Sequence, residues 1–378
     1  MHKLIILGAG RVGHVIARDL NDDADIQVTI ADRRTEYLDA LCEKLECETV
    51  FADLSDIGTI ERLASDHDLV IGALPGAMGL NALKGVIATG KPCVDISFMP
   101  EDPSSLDEEA RKTGSRVLYD FGVAPGMSNL LAATAAMEVA PARQIRIVVG
   151  GLPMVRRQPW EYAAPFSPVD VLEEYTRPAR IKVSGNMVER VPLSGIEHIE
   201  FPEVGTLEAF FTDGLRSLIR TIDCPGMEEK TLRYPGYAQK IGLLRDSGFL
   251  GNEPIDVNGV EIAPVDLTLK LLEPAWHLDK MMEEFTVMRI TAMGGNGQPF
   301  NRVTWDLFDR TDRDRNETSM ARTTGFPAAI VARRMLDGTI DLEPGIHPPE
   351  ALAGNTAFVE GILKDLKARN VIYRKTMI

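Results

Sequence analysis

The stretch "LGAGRVGHVIARDLNDDADIQVTIADRR", from Leu7 to Arg34, decides the fold of the first part of the chain. It opens with the spacing Gly8-x-Gly10-x-x-Gly13 after a short apolar run, and Asp32 follows 19 residues after Gly13 (32 − 13). A glycine fingerprint between a strand and a helix, with an acid at the end of the next strand, is typical of a dinucleotide-binding βαβ unit. The stretch therefore predicts a nucleotide pocket, the alternative being a βαβ turn that binds nothing.

Each residue of the fingerprint has a physical role in this prediction. Gly8 permits the tight turn, Gly10 lets the backbone approach a pyrophosphate, and Gly13 lets the helix pack close to its strand. The N–H groups of the first helical turn, at Arg11 and Val12, and the helix dipole favour an anion. We predict that these five residues bind the cofactor.

Asp32 bears on which dinucleotide binds. Its carboxylate is expected to accept hydrogen bonds from the adenosine ribose and to repel a 2′-phosphate, so NAD is predicted as the cofactor and NADP is less favoured. Arg33, predicted to bind the cofactor, and Arg34 leave two alternatives open, pairing with a 2′-phosphate or stacking on the adenine. Asp53, at the end of the third predicted strand, either contacts the adenine amine or caps the following loop or helix.

Composition excludes several classes of protein. The 378 residues are 44% hydrophobic and 26% charged, which is typical of a globular chain of two domains. The net charge of −15 and the lack of a segregated basic patch argue against nucleic acid as a partner. No apolar run approaches the roughly 18 residues of a membrane span, and we see no secretory signal, so we expect a cytoplasmic protein without a membrane partner. Neither the four cysteines nor the six histidines have metal-site spacing, so we predict no metal.

The order of elements predicts two domains. Residues 1–120 alternate apolar strand-like runs with helical patterns, which predicts an α/β, Rossmann-type doubly wound parallel sheet. Beyond it, short strands and turns predict an inserted mixed α+β, mostly antiparallel domain. A helical pattern returns near residue 317. We therefore predict a dinucleotide-binding domain at 1–122, completed by 317–378, and a substrate-binding domain at 123–316 that also forms a homodimer interface.

Candidate catalytic residues lie at predicted strand ends. In an open parallel sheet, ligands bind outside the carboxyl ends of the strands. The predicted loops at these ends are 73–79, 95–98 and 120–129. Asp95 and Asp120 begin two of them and are the predicted catalytic residues. Leu74, Pro75 and Gly122 are predicted to contact the cofactor.

Three turn-like segments of the second domain concentrate polar side chains. They are 160–170, 210–218 and 231–240. An arginine fork suits a substrate carboxylate, which draws attention to Arg233. The predicted substrate contacts are Ser167, Thr212, Arg216, Arg233 and Tyr237.

The chain resembles the saccharopine dehydrogenase / lysine 6-dehydrogenase family. The segments that carry the resemblance spread in order over nearly the whole length and include "LGAGRVG", "VDIS", "YDFGVAPGMSNLL", "PFSPVDVLEEYTRPA", "KTLRYPGYAQK" and "SMARTTGFPAAIVA". The resemblance implies an α+β domain inserted between two parts of a Rossmann domain. Where lysine 6-dehydrogenases are associated with a serine- and glycine-rich segment and a histidine, this chain has "TDGLRSL" and Tyr237, differences that bear on substrate choice.

The resemblance also implies a reaction. It points to an NAD(P)-dependent oxidoreductase of amino-acid metabolism that acts on a CH–NH bond, foremost the oxidative deamination of lysine at its side-chain amine. The amine must first lose a proton, which Asp95 or Asp120 would accept. One alternative is saccharopine dehydrogenase or reductase activity, which needs more cationic groups because saccharopine has three carboxylates. Another is a non-catalytic dinucleotide-binding regulator.

Overall fold

The computed structural model describes residues 1–43, 45–279, 281–295 and 301–378. The chain divides into two compact units. The first consists of Met1–Leu130 and Ala321–Ile372, and the second of Leu131–Met320 and Tyr373–Ile378. Strands and helices are numbered below along the whole chain.

The first unit contains a seven-stranded, all-parallel sheet. Its strands are β1 (His2–Leu7), β2 (Ile26–Asp32), β3 (Glu48–Phe51), β4 (Leu69–Gly72), β5 (Cys93–Asp95), β6 (Arg116–Leu118) and β17 (Gly345–His347). Their spatial order is β17-β6-β5-β4-β1-β2-β3. The order reverses between β1 and β4, which is the switch point where open α/β sheets bind ligands. The predicted doubly wound parallel sheet is confirmed.

The central strands of this sheet are apolar runs rather than alternating ones. Leu4–Leu7 and Leu69–Ile71 are at most 1% exposed. A parallel strand covered on both faces has this composition. The helices of the unit are α1 (Arg11–Asn21), α2 (Thr35–Cys42), α3 (Ile57–Ser65), α4 (Gly76–Ala88), α5 (Asp107–Thr113) and α12 (Thr356–Ala368), with 3₁₀ turns at Pro103–Leu106 and Pro349–Leu352.

The second unit contains a mixed sheet. Its strands are β7 (Ala142–Pro153), β8 (Ala179–Val183), β9 (Asn186–Arg190), β10 (Glu197–Phe201), β11 (Gly205–Phe211), β12 (Gly226–Arg233), β15 (Glu284–Gly294), β16 (Arg302–Arg310) and β18 (Tyr373–Met377). The order is β10-β11-β12-β7-β15-β16-β18, with β8 beside β12 and β9. Among the described strands, β7 and β12 pair in parallel and the other pairs are antiparallel. This confirms the mixed, mostly antiparallel second domain.

Helices and a hairpin complete the second unit. They are α7 (Pro168–Thr176), α8 (Leu218–Thr221), α9 (Tyr237–Asp246) and α10 (Pro264–Ala275), with the hairpin β13 (Ile255–Val257) and β14 (Val260–Ile262). Two further helices, α6 (Met127–Glu138) and α11 (Ser319–Leu336), contain the divisions between the units. The core of this unit is rich in buried aromatic side chains, among them Tyr175, Phe210, Tyr237, Trp276 and Phe285.

The predicted domain boundaries differ from those of the two units. The sequence divides the chain after residues 122 and 316, whereas the units divide after Leu130 and Met320. The sequence places all of 317–378 in the dinucleotide-binding domain, whereas β18 pairs with β16 and belongs to the second unit. Its residues, "YRKTM", are half-buried or exposed and form an edge strand. Such a strand has no apolar run that would indicate its partner from sequence.

Candidate coenzyme pocket and active site

The glycine loop between β1 and α1 is tightly packed at two of its three glycines. Gly8 has φ +110°, and a Cβ there would lie 2.4 Å from the carbonyl oxygen of Ala73. A Cβ on Gly13 would lie 2.0 Å from the carbonyl oxygen of Gly8. Larger residues at these positions would displace the backbone, so the two glycines fix the turn and the approach of α1.

Gly10 differs from the other two glycines because a Cβ there would meet no heavy atom within 4 Å. Gly10 is the N-cap of the 11-residue α1, and no side chain caps this helix end. A helix N-terminus without a side-chain cap, with open space beside it, is what a pyrophosphate requires. Arg11, which is exposed, and Val12, which is half-buried, lie in this first turn. These residues fit a dinucleotide.

The loop after β4 lies against the glycine loop. Besides the Ala73 contact, Leu74 Cδ2 is 3.5 Å from the position of a Cβ on Gly8. Pro75 is the N-cap of α4. The structure therefore brings the predicted cofactor residues Leu74 and Pro75 to the same edge of the sheet as the fingerprint.

Asp32, at the end of β2, is 5% exposed and already hydrogen-bonded. It accepts the N–H of Ala9 at 2.8 Å and both backbone and guanidinium N–H groups of Arg34 at 3.0 Å. Burial acts to raise the pKa of Asp32, but these hydrogen bonds hold it below its usual value. Arg33 is exposed. Asp53 accepts the backbone N–H and the hydroxyl of Ser55, at 3.0 and 2.8 Å, as in the loop-capping alternative.

Asp95, at the end of β5, is fully buried. Its Oδ1 accepts the N–H of Ser97 at 2.8 Å and its Oδ2 accepts the Ser97 hydroxyl at 3.1 Å. A Cβ on Gly72 would lie 1.9 Å from Asp95 Oδ2, so this glycine makes room for the carboxyl group. Burial raises the pKa of Asp95 to about 8 despite the Ser97 hydrogen bonds, and the charge of Asp120 adds to the rise. Burial therefore favours the neutral, protonated form of Asp95.

Asp120 follows β6 and is 1% exposed. Its φ of +54° is in the left-handed region, which few non-glycine residues adopt. The turn after it closes on itself, because Gly122 donates to the carbonyl of Pro125 at 3.1 Å and accepts the N–H of Met127 at 2.9 Å. Asp120 and Gly122 are therefore held in a constrained turn just before α6.

Arg233, at the end of β12, lies in a cluster of aromatic side chains and is 2% exposed. Its Nη2 is 3.0 Å from Glu174 Oε2, and its Nε and Nη2 donate to the Tyr175 hydroxyl at 3.0 and 2.8 Å. The Tyr175 hydroxyl donates to that of Tyr237 at 3.2 Å, and the Tyr162 ring is 4.6 Å from the guanidinium. We call these five residues the Arg233 cage. The predicted contacts Arg233 and Tyr237 are together, but both are buried and bonded to the chain's own groups.

A second buried polar group lies beside the cage on β12. Glu229 accepts the Thr212 hydroxyl at 2.7 Å and the N–H of Gly214 at 3.0 Å. Thr212 also bonds to the Thr231 hydroxyl at 2.8 Å. Burial, opposed by the Thr212 bond and reinforced by the charge of Glu174, raises the pKa of Glu229 to about 8. Sequence reasoning found Thr212 but missed Glu229.

A signal for Glu229 does exist in the sequence. Residues 229, 231 and 233 alternate along β12 and therefore lie on one face of the strand. Glu174 and Tyr175 were also missed as site residues, although they belong to the "EEYTRPA" segment.

Glu208, a further buried acid that sequence reasoning missed, had no comparable signal in the sequence. Its two oxygens accept the N–H groups of Gly236 and Ala238, each at 2.8 Å, and so fix the start of α9.

The remaining predicted substrate contacts have distinct environments. Ser167 is the N-cap of α7, with its Oγ accepting the N–H of Asp170 at 3.5 Å, and α7 supplies two members of the cage. Arg216 is 6% exposed and has φ +52°. Backbone strain of this kind concentrates at functional sites, and two predicted site residues, Asp120 and Arg216, have it.

Within the described ranges, no helix has the length and apolar character needed to cross a bilayer. In that same part of the chain, no three His, Cys, Asp or Glu side chains are grouped so that they could hold a metal ion. Cys93 and Cys224 are buried, Cys47 is half-buried and Cys42 is exposed, all as free thiols.

Two family models together match almost the whole chain. The model of the saccharopine dehydrogenase NADP binding domain matches residues 4–118. The model of the saccharopine dehydrogenase C-terminal domain matches residues 122–372. The first match covers the glycine loop, Asp32 and Asp95, and the second covers the Arg233 cage.

Curated relatives are similar over long alignments. Saccharopine dehydrogenase [NADP(+), L-glutamate-forming] of Saccharomyces cerevisiae is 24% identical over 99% of this chain and 98% of its own length. Mitochondrial alpha-aminoadipic semialdehyde synthase of Mus musculus is 22% identical over 98% of this chain but only 47% of its own length. The apo structure of saccharopine dehydrogenase (L-Glu forming) from Saccharomyces cerevisiae superposes on this chain with a TM-score of 0.81 at 21% identity. The superposition covers 100% of each chain, which shows a shared fold.

Proposed function

The chain belongs to the saccharopine dehydrogenase family, and we propose that it oxidises the CH–NH bond of an amino acid with a nicotinamide dinucleotide. The observation that supports this most strongly lies within the first unit. The uncapped N-terminus of α1 at Gly10 and two buried aspartates, Asp95 and Asp120, lie at the carboxyl ends of strands of one parallel sheet. Coenzyme and acid–base groups are expected at this edge of such a sheet.

The chemistry needs one group to remove a proton. A nicotinamide dinucleotide, when bound, accepts a hydride from the carbon that bears the nitrogen. An ammonium group cannot form a C=N bond, so the amine must first be deprotonated. We assign this step to Asp120, because burial raises the pKa of Asp95 to about 8 and so disfavours the ionised form that could accept a proton.

The proposed substrate is lysine, oxidised at its side-chain amine. In the second unit, Arg233 is paired with Glu174 at 3.0 Å and Arg180 is paired with Asp213 at 2.7 Å. Arg233 is buried as well as paired, so it would have to leave Glu174 before it could bind any of the three carboxylates of saccharopine. Arg216 stays a proposed contact for a single substrate carboxylate.

Saccharopine is the second candidate substrate. It is supported by the name of the yeast relative, which aligns over 98% of its length. The same hydride step applies to its secondary amine. The names of the relative and of the matching domain also favour NADP, whereas Asp32 alone predicted NAD. We therefore propose NADP as the preferred coenzyme. The homodimer stays a prediction.

The test is reduced-nicotinamide formation with NADP or NAD, measured against lysine, saccharopine and other ω-amino acids. Turnover of lysine with release of ammonia would support the first proposal, and turnover of saccharopine alone would replace it with the second. Asp120→Asn should lose turnover while its coenzyme affinity, measured by fluorescence, stays unchanged. Coenzyme binding without oxidation of any of these compounds would contradict the enzyme proposal and favour a dinucleotide-binding regulator.

A further inference from the structure

The carboxylate of Asp32 has no unused acceptor position. Oδ1 accepts the backbone N–H and the Nε–H of Arg34, both at 3.0 Å. Oδ2 accepts the Ala9 N–H at 2.8 Å and an Nη2–H of Arg34 at 3.0 Å. A carboxylate offers about four lone-pair sites, and all four are filled. Ribose hydroxyls therefore find no acceptor on Asp32 while Arg34 stays in place.

Arg34 still has N–H groups to donate. Its side chain is 46% exposed, and its guanidinium lies 4.0 Å from the centre of the Tyr37 ring. Two of its five side-chain N–H groups bind Asp32, and in the described part of the chain no other acceptor takes the remaining three. A planar guanidinium fixed by a carboxylate on one edge and a ring on one face is well oriented to bind a phosphate.

Charge at this strand end also differs from that of an isolated aspartate. Hydrogen bonds from Arg34 keep the Asp32 carboxyl ionised, so the two side chains neutralise each other. Arg33 beside them adds a further positive charge. The repulsion that an unpaired Asp32 would exert on a 2′-phosphate is therefore offset before any ligand binds.

We infer that Arg34, and not Asp32, recognises the 2′ position of the adenosine ribose and sets the preference for a 2′-phosphate. The inference rests on the proposed nicotinamide dinucleotide. Asp32 then acts as the residue that orients Arg34 and ties it to the glycine loop through Ala9. An acidic residue at this position, which favours NAD when it is unpaired, is here converted by Arg34 into part of a phosphate site.

The experiment uses two probes that need neither substrate nor hydride transfer, adenosine 2′,5′-bisphosphate and adenosine 5′-monophosphate. Calorimetry on the full chain compares wild type with Arg34→Ala. We expect the bisphosphate to bind the variant about 10- to 100-fold more weakly, as for loss of a charge-assisted hydrogen-bond pair. The monophosphate should bind equally well or better, because the variant frees acceptor sites on Asp32.

Arg33→Ala is the matched control, since it removes the same charge one residue away. We expect it to change bisphosphate affinity less than about threefold, because an exposed charge acts mainly through screened attraction. Equal weakening of both probes by Arg34→Ala would mean that Arg34 supports the loop or stacks on the adenine and does not select the 2′-phosphate. A larger effect of Arg33→Ala would transfer the role to Arg33. Either result overturns the inference.

The same data separate this inference from the proposed function. If wild type binds NADPH and the bisphosphate but Arg34→Ala binds them unchanged, the inference alone fails. If wild type binds neither dinucleotide nor either probe, the proposed function fails as well. Arg34→Lys, which keeps the charge but loses the fork, should be intermediate and provides a second variant.

Discussion

Two arginines, one in each unit, form similar bonds in very different surroundings. Arg34 clamps Asp32 at the edge of the parallel sheet, and 46% of its side chain is exposed. Arg233 is bonded to Glu174 and Tyr175 inside an aromatic core, and 3% of its side chain is exposed. From sequence alone, each of these two arginines is a candidate for binding an anion. Exposure decides the difference, because a ligand can approach Arg34 directly whereas Arg233 must first leave its partners.

The largest expected effect in this comparison is on stability. Arg233→Met would leave Glu174 without its cation in a buried site, and breaking such a pair typically costs about 3–5 kcal/mol. Arg34→Met, at a half-exposed pair, should cost less than about 1 kcal/mol. Thermal and urea unfolding of both variants measures the difference. A stable Arg233→Met protein that loses only substrate affinity would instead restore the predicted role of Arg233 as a substrate fork.

An intermediate effect concerns the buried acids of the two units, Asp95 and Glu229. Folding raises the pKa of each to about 8 from 3.8 and 4.5. The folded state then binds protons that the unfolded state has released, so the free energy of unfolding should fall as pH rises from about 4 to 8. We expect Asp95→Asn and Glu229→Gln each to flatten the fall in Tm over this range, by a few degrees.

Asp56→Asn is the control for this pH series. Asp56 is an exposed N-cap whose pKa is lowered by hydrogen bonds from Thr59, so it stays ionised from pH 5 to 8. The slope of Tm against pH should therefore not change in this variant. Slopes that stay unchanged in Asp95→Asn and Glu229→Gln as well would show that neither acid holds a proton in the folded protein.

The smallest expected effect comes from two tyrosines that flank the two arginines. Tyr237→Phe removes the acceptor of the 3.2 Å bond from Tyr175 and should cost about 0.5–1.5 kcal/mol. Tyr37→Phe keeps the ring beneath Arg34, whose contact is with the ring and not with the hydroxyl, and should leave stability within about 0.5 kcal/mol. Equal losses in chemical denaturation would remove the distinction between the two regions.

The glycine loop and the parallel sheet that holds it were largely predictable because their determinants are local in sequence. Gly8, Gly10 and Gly13 act within one turn, and the apolar runs of β1 and β4 mark buried parallel strands. The spacing to Asp32 follows from one βαβ unit. The succession of short strands and turns also predicted the change to a mixed sheet.

The rest depended on contacts that spacing does not encode. Arg233 meets Tyr175, 58 residues away, so its burial could not be inferred from the segment around it. The position of Asp32 at the end of β2 was predicted correctly. Whether its carboxylate oxygens are free to accept hydrogen bonds depends on the side-chain conformation of Arg34, two residues later. The Arg233 cage and the edge strand β18 show the same limit, because both are defined by partners from distant parts of the chain.

The alternation of the units along the chain constrains how the protein is made. β17 joins β6 at the edge of the first sheet only after residues 131–320 have been synthesised, and β18 joins β16 at the edge of the second sheet later still. During synthesis, β6 and β16 therefore each lack one neighbouring strand until the intervening residues of the other unit have been made. Unpaired strand edges can pair with other chains, so β6 and β16 are exposed to aggregation during this interval.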